Sequence, residues 1–353
     1  MGVEGVENVE GLSVSLPTNP SIGEFSQHSQ PLNPSTPQPL NILNPLNIQA
    51  MHTAEQLKTV VREKYSEIAL QDKGINEASC CGVGTPGTYT IMADSYTELE
   101  GYNPDADLGL GCGLPTQFAQ IQAGDTVLDL GSGAGNDAFI ARAETGVSGK
   151  VIGVDFTPTM IRRARENAEK LNFHNVEFRQ GDIEELPVSD HSVDVVVSNC
   201  VLNLVPDKPK VFNEIMRVLR PGGHFSISDV VLMGELPPAL RNAAEMYAGC
   251  VSGAIQKEDY LEIIRQAGFE NLSVQKQKPI LIPDEILLEY LSAEELKAFA
   301  ESKTGIISVT VYAEKPGGDP ANKTVRAEKR KLEMRNLASE TGKASCTPGG
   351  GCC

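Results

Sequence analysis

The sequence predicts an α/β fold: a mostly parallel sheet with helices on both faces, joined to a smaller α+β domain. Two observations support this prediction. Short runs rich in β-branched residues alternate with helical stretches, as successive βαβ units require. A glycine-rich turn between Val127 and Gly135 joins the first such run to a helix, which is the usual cradle for a nucleotide-like ligand.

Composition and charge limit the possible functions. The chain has 353 residues and a formal net charge of −17. This negative charge argues against a nucleic-acid partner, whose phosphates would be repelled, and does not favour an anionic membrane surface. There is no apolar run long enough for a transmembrane helix and no basic region followed by an apolar core. We therefore expect no membrane association and a cytoplasmic location.

Four segments are predicted along the chain. Residues 1–52 are rich in Pro, Asn, Ser and Gln and are expected to form a disordered low-complexity leader. Residues 53–230 hold the parallel sheet and an N-terminal helical segment with cysteines. Residues 231–315 are expected to form a cap domain over the sheet, and residues 316–353 a flexible tail that ends in cysteines.

The first elements follow from local patterns. Thr53 is a suitable N-cap for an amphipathic helix whose apolar stripe extends to Ile68. A second helical stretch is predicted over 93–99. The apolar run 127–130 is predicted as the first strand, and the residues after the glycine turn, 137–144, as the helix that follows it.

The remaining elements continue the alternation. The run 193–198 is almost entirely β-branched, so it should be a strand buried on both faces. Gly268 is a suitable C-cap for the helix before it. Further strands are predicted at 150–154, 176–179, 224–228, 272–275 and 306–313. Further helices are predicted at 158–171, 209–219, 238–250, 257–267 and 284–300.

The glycine turn has the spacing Asp129-x-Gly131-x-Gly133-x-Gly135, which differs from the G-x-G-x-x-G of dinucleotide sites. Gly131 allows a tight turn, and the next two glycines let a ligand approach bare backbone. The pattern resembles motif I of the class I S-adenosylmethionine (SAM) methyltransferases. An ordinary glycine-rich turn in another α/β protein is the alternative.

Acidic or amide residues also end successive strands. Asp155 ends the second strand, where a carboxylate can accept hydrogen bonds from both ribose hydroxyls, and Asn199 ends the fourth. The resemblance to class I SAM methyltransferases therefore covers about residues 110–230, and it implies a Rossmann-like sheet, Asp182 and Ile183 beside the adenine, and SAM as methyl donor. The cofactor-binding residues it implies are Asp129, Gly131, Ser132, Gly133, Gly135, Asp155, Phe156, Asp182, Ile183 and Asn199.

Three cysteines on separate segments could converge over the methyl donor. Cys112 lies in a glycine loop before the sheet, Cys200 follows the fourth strand, and Cys250 lies in the region that caps the crevice. Thiolates prefer soft ions, and trivalent arsenic takes three sulfurs and keeps a lone pair, whereas zinc takes four ligands. A single cysteine is more often a small buried apolar residue, and that alternative stays open here.

From about residue 54 to 315 the chain resembles the arsenite S-adenosylmethionine methyltransferases. The motifs are Ala78-Ser-Cys-Cys-Gly82, Gly111-Cys-Gly113, Val127–Gly135, Gly153-Val-Asp-Phe-Thr-Pro158, Gly181-Asp-Ile-Glu184, Ser198-Asn-Cys-Val-Leu-Asn-Leu204 and Gly249–Gly253. The resemblance implies that Cys112, Cys200 and Cys250 are catalytic and bind As(III). It further implies that Cys80 or Cys81 exchanges disulfides, with thioredoxin or glutathione as reductant. Cys346, Cys352 and Cys353 resemble the cysteine-ended tails of some members, which either deliver arsenite or are idle.

The predicted function is the transfer of methyl groups from SAM to thiol-bound trivalent arsenic, which yields methylated arsenicals and detoxifies arsenic. One alternative is a class I methyltransferase that acts on a quinone- or sterol-like molecule, which would leave the cysteines without a role. Another is a non-enzymatic, thiol-rich metalloid-binding protein, which would bind arsenite without producing S-adenosylhomocysteine. The fold hosts many substrates, so the fold alone does not identify the methyl acceptor.

Overall fold

The structure is a computed structural model, and it describes residues 53–71, 94–237, 251, 253–281, 284–288, 291–302 and 304–318. Within these residues no helix has the length and apolar character needed to cross a membrane. The predicted leader 1–52, the predicted helix 238–250 and the tail from residue 319 onward lie outside the described residues. The four-segment division of the chain therefore stays a prediction.

Seven strands form one sheet in the described part of the chain. They are β1 (Thr126–Leu130), β2 (Lys150–Asp155), β3 (Val176–Gln180), β4 (Val193–Asn199), β5 (Leu219–Met233), β6 (Glu270–Pro279) and β7 (Gly305–Glu314). Their order is β3-β2-β1-β4-β5-β7-β6. The first five are parallel, β7 pairs antiparallel with β5, and β6 pairs antiparallel with β7.

Helices accompany these strands. They are α1 (Ala54–Ile68), α2 (Pro115–Phe118), α3 (Asn136–Thr145), α4 (Pro158–Lys170), α5 (Lys208–Val218), α6 (Lys257–Gln266), α7 (Asp284–Leu287) and α8 (Ala293–Glu301), with a 3₁₀ turn at Leu202–Leu204. The predicted cap of α1 is confirmed, since the Thr53 side chain accepts from the backbone N–H of Gln56.

Alternating strand residues build two cores, one on each face of the sheet. On β1, Val127 packs with α3 and α4, whereas Leu128 packs with α5 and α6. On β4, Val195 and Val196 divide in the same way. Because successive side chains of a strand point to opposite faces, this division requires helices on both sides. The predicted Rossmann-like α/β fold is confirmed.

Three local predictions differ from the structure. Residues 94–99 form extended chain and turns rather than a helix, because Tyr96 points inward and hydrogen-bonds distant groups. The predicted strand 224–228 is the middle of a longer β5, which pairs with β7 from His224 to Met233. The predicted helix 284–300 is two helices, since Ser292 begins α8 with a capping box to Glu295.

Candidate active site

A cavity of about 1070 Å³, including its open mouth, lies at the carboxyl ends of β1 to β4. This is where parallel α/β sheets bind their ligands. Most of the predicted cofactor-binding residues line it, namely Asp129, Gly131, Ser132, Gly133, Asp155, Phe156, Asp182, Ile183 and Asn199. Gly135 is the N-cap residue of α3, and its N–H donates to the carbonyl of Ser132 at 2.8 Å, so it shapes the turn.

The glycine turn between β1 and α3 depends on left-handed backbone. Gly131 has φ +66°, and a Cβ there would collide with the side chain of Val201. Gly133 has φ +51° and donates its N–H to Oδ2 of Asp155 at 3.0 Å. The other oxygen of Asp155 accepts from the N–H of Thr157 at 2.8 Å. Asp155 therefore joins the two loops that form the floor of the cavity.

Several buried oxygens in the cavity wall have no hydrogen-bond partner among the described residues, including Oδ2 of Asp129, Oγ of Ser132 and Oδ1 of Asn136. Buried polar atoms without a partner are costly, so a ligand that hydrogen-bonds them would stabilise the fold. Two carboxylates and polar hydroxyl and amide groups suit a ligand with a positive sulfonium and an ammonium group. The residues present therefore fit SAM.

The carboxylates of the cavity are buried and repel one another. Burial, followed by the negative charge of Asp137, raises the pKa of Asp129 well above its ordinary value. Burial raises the pKa of Asp137 to about 6, although hydrogen bonds from Asn199 and Tyr96 oppose the rise. A bound cation would relieve this repulsion.

Helix α1 covers the far side of the cavity. Nζ of Lys58 contacts Oδ2 of Asp182 at 2.6 Å and also forms an ion pair with Glu184. The guanidinium of Arg62 lies over the ring of Phe156, 5.4 Å from its centroid. Lys58 and Tyr65 line the cavity. The sequence does not reveal these residues, because α1 has the pattern of an ordinary amphipathic helix and only tertiary contacts bring it to the cofactor side.

Cys200 follows β4 directly and lines the cavity. Its backbone is left-handed, with φ +61°, and its N–H donates to the carbonyl of Ser228 at 2.8 Å. Left-handed backbone is unfavourable for a residue with a Cβ by roughly 1–2 kcal/mol. Such strained residues concentrate at functional sites.

Cys112 is fully buried and is held on both sides of its peptide. Its N–H donates to Oδ1 of Asn199 at 3.1 Å, and its carbonyl accepts from the hydroxyl of Ser308 at 2.6 Å. The flanking glycines are required by packing: a Cβ on Gly111 would lie 2.8 Å from Nδ2 of Asn199, and one on Gly113 would lie 2.6 Å from Oγ of Ser228.

The structure brings two of the predicted thiols together. Cys112 and Cys200 belong to one buried apolar cluster with Val230 and Val251. Cys250 lies outside the described residues, and Val251 is its next neighbour in the chain. The predicted redox cysteines Cys80 and Cys81, and the tail cysteines, are also outside. Among the described residues no three His, Cys, Asp or Glu side chains form a group able to hold a metal ion.

Comparison with known proteins identifies the family. Residues 121–268 match a family model for a methyltransferase domain. The arsenite methyltransferase of Halobacterium salinarum is 42% identical over 280 residues, which cover 75% of this chain and 68% of that protein. This chain belongs to the arsenite methyltransferase family.

Two further members are similar. The arsenite methyltransferase of Aquipseudomonas alcaligenes is 34% identical over 240 residues, 65% of this chain and 67% of that protein. The crystal structure of an arsenic(III) S-adenosylmethionine methyltransferase from Chlamydomonas reinhardtii has a TM-score of 0.50 and 33% identity, and covers 67% of this chain and 76% of that chain. The fold and the family predicted from the sequence are thus confirmed for this arsenite methyltransferase.

Proposed function

We propose that this enzyme transfers a methyl group from SAM to trivalent arsenic held by Cys112, Cys200 and Cys250. The observation that carries the proposal is the position of two buried thiols at the end of β4, one in the wall of the cofactor cavity and one packed in the same cluster. Soft thiolate ligands suit trivalent arsenic, and membership of the arsenite methyltransferase family supports that acceptor.

The described residues have separable tasks in this reaction. SAM supplies an electrophilic methyl group on a positively charged sulfur. The carboxylates of Asp129 and Asp137 would supply negative charge to a bound cation, and the glycine turn would hold the cofactor in the cavity. Cys112 and Cys200 hold arsenic with its lone pair free, so no proton has to leave the nucleophile and no general base is required. Positioning two reactants in this way can contribute roughly 7–11 kcal/mol to lowering the barrier.

A redox step completes the proposed cycle. Methylation oxidises As(III) formally to As(V), so two electrons must return before the next transfer. Two thiols can supply them by forming a disulfide, and we assign one of these thiols to Cys80 or Cys81. Thioredoxin or glutathione would then reduce that disulfide by thiol–disulfide exchange. This step needs a reducing compartment, in line with the cytoplasmic location predicted from the sequence.

The two alternative functions explain less of the site. A quinone- or sterol-directed methyltransferase gives no reason for a thiol at position 200 in strained backbone. A non-enzymatic metalloid-binding protein gives no reason for the cavity with its unpartnered oxygens of Asp129 and Ser132.

Mass spectrometry of arsenic species tests the proposal. The full chain is incubated with SAM, arsenite and a thiol, and methylated arsenicals are expected. Cys200→Ser and Cys112→Ser should each abolish methylation while S-adenosylhomocysteine still binds. Ser198→Ala is the matched control, because Ser198 lies on β4 two residues before Cys200 and its hydroxyl donates to the carbonyl of Leu130. Full activity of Cys200→Ser would refute the assignment.

A further inference from the structure

The side-chain amide of Asn199 hydrogen-bonds the backbone of the loop that carries Cys112. Its Oδ1 accepts from the N–H of Cys112 at 3.1 Å, and its Nδ2 donates to the carbonyl of Gly113 at 2.8 Å. The thiol itself lies close, with Sγ of Cys112 at 3.8 Å from Oδ1. An acceptor and a donor on one planar group therefore bind successive residues of the loop. This two-point contact fixes both the position and the orientation of the Cys112 peptide.

The same amide is held in place from the cofactor side. Nδ2 also donates to Oδ2 of Asp137 at 3.3 Å and to the hydroxyl of Tyr96. The hydroxyl of Tyr96 in turn lies 3.1 Å from both Oδ2 of Asp137 and the carbonyl of Gly113, the two acceptors available to its single hydrogen. Asn199, Tyr96 and Asp137 thus form one network between the wall of the cofactor cavity and the thiol loop.

A second clamp acts from the opposite side. The hydroxyl of Ser308, on β7, donates to the carbonyl of Cys112 at 2.6 Å. The close approach of Asn199 is possible because residue 111 is glycine: a Cβ there would lie 2.8 Å from Nδ2. The packing on both sides leaves the Cys112 loop little freedom to move.

We infer that Asn199 is a positioning residue for the Cys112 thiol, and that its amide holds that thiol at the edge of the cofactor cavity. The inference rests on the proposed function, since it takes Cys112 to be a ligand of arsenic. The three sulfurs around As(III) must meet at one point, so a displaced loop would remove one of them. A residue whose main partner was SAM would act on the donor instead.

The decisive experiment separates acceptor binding from donor binding in the full chain. As(III) coordination is measured by X-ray absorption as the number of bound sulfurs, and S-adenosylhomocysteine binding by calorimetry. Asn199→Ala should weaken arsenite binding about tenfold to thirtyfold, because two hydrogen bonds to the loop are lost. The sulfur number should fall from three to two. Affinity for S-adenosylhomocysteine should fall by less than affinity for arsenite, because Tyr96 still donates to Asp137 on the cofactor side whereas both hydrogen bonds of the amide to the loop are lost.

Two further variants distinguish a specific effect on the Cys112 loop from a general loss of structure. Asn203→Ala removes a buried asparagine from the same segment, whose Nδ2 donates to the carbonyl of Val230, and should leave the sulfur number at three. Ser308→Ala removes only the second clamp and should weaken arsenite binding in the same direction as Asn199→Ala.

The measured sulfur numbers and affinities can overturn the inference in three ways. The inference is overturned if Asn199→Ala keeps three sulfurs, or if it weakens S-adenosylhomocysteine as much as arsenite. It is equally overturned if Asn203→Ala has the same effect as Asn199→Ala. If Cys112→Ser also keeps the wild-type sulfur number, the proposed arsenic ligands are wrong and the proposed function fails independently of Asn199.

Discussion

Replacing Asp229 by asparagine should remove one contribution to the pH dependence of this protein's stability. Asp229 lies on β5 and is fully buried. Its Oδ1 accepts from the N–H of Val230 at 2.9 Å and its Oδ2 from the hydroxyl of Tyr260 at 3.4 Å. Burial raises its pKa to about 7, and the positive charge of Lys208 only partly opposes the rise. Asparagine has nearly the same shape and carries no charge.

The size and sign of the effect follow from the change in pKa. The pKa rises from 3.8 in a model carboxyl to about 7 in the fold. A difference of one in pKa between the folded and unfolded states is worth about 1.4 kcal/mol. The buried charge therefore destabilises the fold by about 4 kcal/mol at pH 8. The folded state holds the proton more tightly than the unfolded chain does. The contribution of Asp229 to the free energy of unfolding therefore falls as pH rises from about 4 through about 7.

Urea unfolding of the wild type and of Asp229→Asn at a series of pH values measures this effect. The difference in free energy of unfolding between the two proteins should change by about 4 kcal/mol between pH 4 and pH 8, in favour of the variant at high pH. Asp259→Asn is the control, because Asp259 is exposed in the first turn of α6. Parallel pH profiles for the wild type and Asp229→Asn would show that the burial argument is wrong.

Three substitutions in the site give further predictions. Gly113→Ala places a Cβ 2.6 Å from Oγ of Ser228, so calorimetry should show arsenite binding about tenfold weaker with S-adenosylhomocysteine binding retained. Gly131→Ala combines φ +66° with a collision against Val201, so S-adenosylhomocysteine binding should be lost and the melting temperature lowered by several degrees. Lys58→Met removes the ion pairs of α1, so S-adenosylhomocysteine should dissociate faster in stopped-flow experiments, with arsenite affinity unchanged.

The sequence predicts the structure correctly where a local pattern of residues determines it. The apolar β-branched run before Asn199 became a strand buried on both faces, because such a run has no polar face to expose. Gly131 was predicted to allow a tight turn after the first strand, and both it and Gly133 adopt left-handed backbone. These features depend on residues close together in the chain, so their patterns can be read directly.

Contacts between distant residues could not be predicted in the same way. Tyr96 lies in a stretch predicted to be helical, yet it reaches Asp137, 41 residues away in the chain. Lys58 reaches Asp182 across 124 residues. The sequence predicted Asn199 at the crevice, but its hydrogen bonds to the Cys112 loop are visible only in the structure. No periodic pattern encodes which of two neighbouring partners an amide will choose.

The backbone at Cys200 provides an argument for thiol chemistry that is independent of any relative. With φ +61°, position 200 is one where glycine would be favoured by roughly 1–2 kcal/mol over a residue with a Cβ. The Cys200 side chain is only 5% exposed, so either its packing or a requirement for sulfur at the cavity wall must offset this strain. We attribute the retained cysteine to a requirement for sulfur. If so, Cys200→Gly should be at least as stable as the wild type in urea unfolding while losing arsenic methylation, and a clear loss of stability would mean that the thiol is retained for packing.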